Sequence, residues 1–233
     1  MLNPQLVFIG LDDTDTLESR GTGHLARQIA TRLSSQYAIL GVVRHQLLVD
    51  PRVPYTAKNS SAAIVISTNG DADLETLGEQ AQDLVHRHFN PGSDPGVCIS
   101  RTVPAAVTAF GHRAQREVVT QEEARALAAA HDILLAGLGG TEAGVIGALA
   151  AVGLAAGGDD GRYVMVGQAR ELRGLRPVSA VLSAGVADVQ TVHGLSVQQG
   201  LILTDKLRPA RRRGRPVAIV ERAEGYWRPL KLD

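Results

Sequence analysis

Asp12, Asp13 and Asp15 fall within four consecutive positions, and the run Arg20-Gly21-Thr22-Gly23 follows within ten residues and leads into an apparent helix. Clustered carboxylates disfavour one another's ionisation unless a cation neutralises them, and hard cations such as magnesium take oxygen ligands. Thr14 and Thr16 add hydroxyls. The backbone N–H groups of Gly21, Thr22 and Gly23, at a helix start, carry a partial positive charge that suits a phosphate. The combination fits a magnesium-bound polyphosphate such as ATP. On spacing alone, a solvated acidic turn with Thr22 as an ordinary helix cap fits equally well. No GxxxxGK[ST] run occurs, which excludes a Walker-type loop.

The elements around this loop follow from hydrophobic periodicity. Residues 5–11 form a short continuous apolar run that suits a central strand, and Leu25, Ile29 and Leu33 recur every four residues as one face of a helix. Segments 38–49 and 62–67 read as two strands, 73–89 as an amphipathic helix with Asp73 near its start, and 96–100 as a fourth strand. The order β-α-β-β-α-β is the ferredoxin-like arrangement. After a short connector, a capped helix at 120–132, the strand ILLAGL and a Gly/Ala-rich buried helix at 140–157 follow; from 161 onward short β-like runs alternate with turns. The expected fold is α/β (α+β), with a ferredoxin-like first lobe over 1–105 packed on a second mixed α/β lobe over 106–233. The acidic loop then faces a glycine-led helix across a cleft.

Composition narrows the function. Lys+Arg and Asp+Glu both number 24, so no net field draws the chain to nucleic acid or membrane, and a nucleic-acid role needs a local patch. The single cysteine, Cys98, excludes an intramolecular disulfide and a multi-cysteine zinc site, and in its apolar strand reads as a buried small hydrophobe. The run LVFI at 6–9 is too short for a signal or membrane segment, so a cytoplasmic protein is expected.

Several blocks in one order carry a resemblance: GLDDTDT with Thr22 and HLA after it, then RVPYTAKNSSAAI, DPGVCIS and GVIGALAAVGL. This set resembles the amino-terminal region of archaeal isoleucine-tRNA agmatinylcytidine synthetase over most of residues 5–155. The resemblance implies an ATP- and magnesium-using kinase region that activates a tRNA cytidine. It implies that Asp12, Asp13 and Asp15 hold magnesium and nucleotide and that Thr22 occupies the position of an autophosphorylated threonine. Lys58 then stands near the arginine of the family's KTRGN segment, Asn59 or Ser60 takes its asparagine position, and Gly144 and Gly147 open the matching helix. The chain departs from the family pattern at Gly21 and Gly23, where CTT has become GTG, and at Thr56, which replaces the lysine of KTRGN. No counterpart of the family's OB-fold and zinc ribbon is expected in these 233 residues with one cysteine, so tRNA is a less supported partner than a nucleotide and an unidentified small acceptor.

The segment GLGGTEAGVIGALAAVGL admits two readings. Gly140, Thr141 and Gly144 either bring helix amides to a phosphate or serve packing and capping. His24 and His45 have no metal spacing and read as ligand contacts or as ordinary satisfied histidines. Arg208, Arg211, Arg212, Arg213 and Arg215 occupy an expected loop that either touches nucleic acid or is a solvated face. Aromatic residues are only 3%, which leaves few stacking partners for single-stranded RNA. The preferred function is a magnesium-dependent ATP-binding phosphotransferase; the alternatives are a non-catalytic nucleotide or phosphate-ligand sensor and an RNA-binding accessory protein.

Overall fold

The computed structural model describes residues 5–56, 58–68 and 73–231; Ala57, inside the block 52–64, lies outside the described residues. The first six elements are β1 (Gln5–Asp12), α1 (Thr22–Leu33), β2 (Ala38–Gln46), β3 (Ser60–Thr68), α2 (Leu74–His88) and β4 (Gly96–Ser100). Their strands lie in the order β4-β1-β3-β2 with every neighbour antiparallel, which is the ferredoxin-like sheet. β1 is central and buried on both sides. Val7, Ile9 and Leu11 join Leu25, Ile29 and Leu33 of α1 and Leu77, Ala81 and Val85 of α2 in one core, whereas Phe8 faces a second core on the opposite side. This two-sided burial explains why the run is continuous rather than alternating. Each such buried side chain contributes roughly 1.5–3 kcal/mol.

The second face is covered by α3 (Ala105–Ala114), α4 (Gln121–Ala130) and α5 (Val145–Gly157). The region between β4 and α4, expected to be a short connector, holds the ten-residue helix α3. Its Val107, Phe110, Gly111 and Ala114 are buried at helical spacing, so the periodic signal is present but brief. α4 begins with a complete capping box between Thr120 and Glu123, as its sequence indicates. A Cβ at Gly10 would lie 2.0 Å from the Ala148 carbonyl oxygen, so α5 packs backbone-close on β1. That approach lays the first turn of α5 over the carboxyl end of β1.

Among the described residues the sheet continues beyond the ferredoxin-like strands into a twelve-stranded whole. β5 (Leu134–Gly137) pairs with β4, and β6 (Arg162–Met165) pairs with β2. After β6 the chain forms β7 (Leu175–Pro177), α6 (Val178–Ser183), β8 (Asp188–Thr191), β9 (Leu201–Leu203), β10 (Ala210–Arg212), β11 (Arg215–Arg222) and β12 (Trp227–Pro229), and from β6 the sheet runs through β10, β11, β12 and β9 to β7, with β8 beside β11. The arginine-rich run expected to be a loop is therefore a hairpin, turned by Arg213 (φ 47°) and Gly214 (φ 74°), both in the left-handed conformation that two-residue hairpin turns use.

Arg211 is only 2% exposed. Its guanidinium donates to the Ala155 carbonyl at 2.9 Å, to the Gly214 carbonyl at 2.9 Å and to the Tyr163 hydroxyl. Its role is to tie β10 to α5. Arg211→Met is expected to cost about 3 kcal/mol in urea unfolding because it orphans these buried acceptors, while Arg215→Gln, on an exposed side chain, stays within about 0.5 kcal/mol. Equal costs at the two positions would contradict this division of roles.

Candidate functional site

The acidic loop leaves the end of β1 through Asp13, whose backbone is left-handed (φ 49°), a conformation an aspartate adopts more readily than most residues. The chain then turns through Thr16–Ser19, where the Ser19 hydroxyl accepts from the Thr16 N–H at 2.8 Å, and returns at Gly21 to start α1. Gly21 has no side chain with which to cap α1. Asp15 does so from across the loop: its Oδ1 accepts from the Thr22 N–H at 2.9 Å and from the Thr22 hydroxyl at 2.8 Å. Thr22 Oγ1 in turn accepts from the backbone N–H and the hydroxyl of Thr14, both at 3.3 Å. Thr14 is itself fixed because Asn90 donates to its carbonyl at 3.1 Å through the backbone and at 2.9 Å through the side chain. The other oxygen of Asp15 accepts from the Thr56 hydroxyl at 3.0 Å. Thr56, where the resemblance has a lysine, thus contributes a neutral hydrogen bond to the loop.

The three carboxylates are unlike. Both oxygens of Asp15 are engaged by threonines, whereas Asp12 and Asp13 have no salt-bridge partner among the described residues. Burial, followed by the nearby Asp13 charge, pushes the Asp12 pKa up to about 8. Burial, followed by the charges of Asp94 and Asp15, pushes Asp13 up to about 6. Asp12 reaches α5: a Cβ at Gly147 would lie 1.8 Å from Asp12 Oδ2, so the glycine makes room for the carboxylate. Among the described residues no group of three or more His, Cys, Asp or Glu side chains is gathered to hold a metal ion. Magnesium is commonly held by one or two carboxylates with the remaining positions filled by substrate phosphates and water. Asp12 and Asp13, hard oxygen donors that no basic side chain pairs among the described residues, fit that mode.

Two adjoining clefts share the wall formed by Asp15, Thr22, Thr56, Lys58 and Ser60. The first is lined by Asp12 and Asp13 together with apolar residues that include Leu47, Val53, Val119 and Ile146. The second is lined by Arg20, His24, Arg27 and Arg44 together with Gly21 and Gly23. Asn59 reaches the first cleft and donates to the Leu48 carbonyl at 2.7 Å, and the Ser60 hydroxyl accepts from Arg44 at 3.0 Å.

The glycine-led segment faces the loop through the first turn of α5, with Ala143, Ile146 and Gly147 on the cleft. Gly140, Thr141 and Gly144 do not line it. Gly140 is left-handed (φ 57°) against Asp94, Thr141 donates its N–H to Asp94 at 2.9 Å, and the Gly144 N–H donates to the Asp94 carbonyl at 2.9 Å. Asp94 therefore organises the turn before α5 and adds negative charge near Asp13. Sequence reasoning passed over it, although it lies within the quoted DPG block. His45 is away from the clefts, fully buried, with Nδ1 2.7 Å from Asp160, and Cys98 is buried with its thiol pKa pushed up by burial.

Residues 8–140 match the TiaS TCKD domain family, more than half of the chain. This chain belongs to that family. The TiaS TCKD match takes in the acidic loop, the 52–64 block, Asp94 and β4, and ends before α5 begins at Val145. Solved structures agree in fold. A crystal structure of TiaS with its isoleucine tRNA and ATP superposes with a TM-score of 0.56 at 23% identity, covering 64% of this chain and 36% of that one. A tRNA fluorescent labeling enzyme gives 0.55 at 24% identity with the same coverage, and apo TiaS, an isoleucine-tRNA agmatidine synthetase, gives 0.53 at 22%, covering 64% and 35%. The chain thus spans about a third of the length of these TiaS-like structures. Among curated protein sequences nothing matches. Among the described residues no helix is long and apolar enough to cross a membrane.

Proposed function

We propose that this chain binds ATP with magnesium in the first cleft and transfers its terminal phosphoryl group, with Thr22 as the first acceptor. The observation that carries this reading is the Thr22 hydroxyl, which donates to Asp15 at 2.8 Å on the wall shared by both clefts. A hydroxyl becomes a competent nucleophile when a carboxylate within hydrogen-bond reach takes its proton. In this reading Thr22 Oγ1 attacks the terminal phosphorus, the bond to the ADP oxygen breaks, and the hydroxyl proton passes to Asp15. Asp12 and Asp13 would hold the magnesium, which would supply charge neutralisation for the leaving group. Lys58 offers a further positive charge, and the apolar wall of Leu47, Val53 and Val119 gives the nucleoside a dry surface. Relatives whose crystal structures hold ATP or AMPCPP, isoleucine tRNA and agmatine support the nucleotide and leave a tRNA acceptor as one candidate. The proposed place of action is the cytoplasm.

Phosphopeptide mass spectrometry after incubation with Mg-ATP tests this. A phosphate on Thr22 is expected in the wild-type chain, at least about a hundredfold slower in Asp15→Asn and absent in Asp13→Asn and Thr22→Val. Thermal stabilisation by Mg-ATP with no transfer to Thr22 or to any acceptor would favour the sensor reading instead. No stabilisation at all would remove the nucleotide from the account.

A further inference from the structure

Asp15 holds a second hydroxyl that the proposed function does not use. Its Oδ1 accepts from the Thr22 hydroxyl at 2.8 Å, and its Oδ2 accepts from the Thr56 hydroxyl at 3.0 Å. One carboxylate thus serves two threonines, and each of them lines both clefts. Threonine–carboxylate pairs also occur at Thr76 with Asp73 and at Thr141 with Asp94, but neither of those threonines lines either cleft.

The two hydroxyls on Asp15 differ in freedom. Thr22 is 4% exposed in the first turn of α1, and its Oγ1 also accepts from the N–H and the hydroxyl of Thr14, both at 3.3 Å. Thr56 is half-buried in the loop between β2 and β3, and Asp15 is the one hydrogen-bond partner of its hydroxyl among the described residues. Its oxygen lone pairs are therefore open to an electrophile, while its proton already points at a carboxylate, the arrangement an activated nucleophile needs. Thr22 has the base but shares its lone pairs with two donors. The second cleft also suits the product: Arg20, Arg27 and Lys58 line it beside Thr56, and a phosphothreonine dianion is stabilised by such cations. Thr56 stands where the resemblance has a lysine, so this hydroxyl comes from the chain's own departure from the pattern.

We propose that Thr56 is a second phosphoacceptor, modified from ATP seated in the first cleft. This second acceptor rests on the phosphotransfer reading and adds a product to it. Thr56 Oγ1 attacks the terminal phosphorus, the bond from that phosphorus to the ADP oxygen breaks, and the hydroxyl proton passes to Asp15 Oδ2. Phosphothreonine and ADP result. Because one carboxylate takes one proton at a time, the two threonines compete, and removing Thr22 leaves Thr56 as the remaining acceptor.

Phosphopeptide mass spectrometry of the full chain after incubation with Mg-ATP separates the two sites. Trypsin releases Thr22 in GTGHLAR and Thr56 in VPYTAK, each with a single threonine, and fragment ions distinguish Thr56 from Tyr55. Phosphate is expected on Thr56 in the wild type and in Thr22→Val, at least about a hundredfold slower in Asp15→Asn, and absent in Thr56→Val. Thr56→Ser should carry it on the serine, and Thr76 and Thr141 should stay unmodified. Phosphate on Thr22 of the wild type with none on Thr56 in either chain overturns the second acceptor and leaves the phosphotransfer reading intact. Thr56 labelling that Asp15→Asn leaves unchanged, or that Thr76 and Thr141 match, overturns it as well. No phosphate on any threonine overturns both. Phosphate on Thr56 alone upholds the second acceptor and removes Thr22 as the first.

Discussion

Asp12→Asn is expected to stabilise the ligand-free chain on the order of 5 kcal/mol at pH 8, and to abolish its stabilisation by Mg-ATP. The Asp12 carboxyl is pushed from its ordinary value near 3.8 to about 8 by burial and by the charge of Asp13. Each unit of such a shift corresponds to about 1.4 kcal/mol. A carboxyl raised in the folded state holds a proton that the unfolded chain has already released. Between about pH 4 and pH 8, therefore, stability falls as pH rises, and above that window the full cost of burying the charge is present. Asparagine keeps the shape of the side chain and loses the titration, so the gap between variant and wild type should widen with pH. Urea unfolding of both chains at pH 5 and pH 8 measures it; a gap of the same size at both values would contradict the assignment. With Mg-ATP present the order reverses, because the cation removes the penalty in the wild type and finds no charge in the variant.

Gly147→Ala is the second large effect. The added Cβ would lie 1.8 Å from Asp12 Oδ2 and 2.4 Å from its Cγ, on the rigid first turn of α5. Either the helix lifts from β1 or Asp12 swings away from the cleft, and overpacking of this kind costs roughly 1–3 kcal/mol. Stabilisation by Mg-ATP is expected to disappear with it. Because the clash is with one side chain, the cost should shrink in an Asp12→Ala background, a coupling that a double-mutant cycle reads directly. Additive costs would show that Gly147 serves helix packing alone.

The parts of this molecule that are legible in its sequence are those set by local periodicity and local capping. The run at 5–11, the Leu25-Ile29-Leu33 stripe and Asp73 at the start of α2 each specify their element nearly alone; Asp73 accepts from the Glu75 N–H at 3.0 Å, as its position indicates. The ferredoxin-like order follows from those elements because few topologies satisfy them. α3 escapes because ten residues with only Val107 and Phe110 as large apolar side chains, after a proline, resemble a connector until α5 is there to pack against. The arginine hairpin escaped because its turn needs left-handed residues and its central guanidinium is buried by contacts with Ala155 and Tyr163, far away in the chain.

The candidate site divides in the same way. The acidic loop announces itself as a cluster, and the partnership of Asp15 with Thr22 is short-range. The role of Asp94 depends on tertiary contact with the turn before α5, some 47 residues later in the chain, so spacing carries no trace of it. Glycine has two meanings at the start of α5 and in the turn before it. Gly147 clears the Asp12 carboxylate, whereas Gly140 and Gly144 serve the turn around Asp94, and only the packing tells them apart.

In the proposed function the carboxylates divide their labour, Asp12 and Asp13 for a cation and Asp15 for Thr22. A crystal structure of the chain with magnesium and AMPCPP tests it most directly. One ion is expected to bridge Asp12 and Asp13 to the phosphate oxygens, with Asp15 still bonded to Thr22 and the terminal phosphorus facing that hydroxyl. An ion held by Asp15 with Thr22 released, or a nucleotide bound away from the acidic loop, would contradict it.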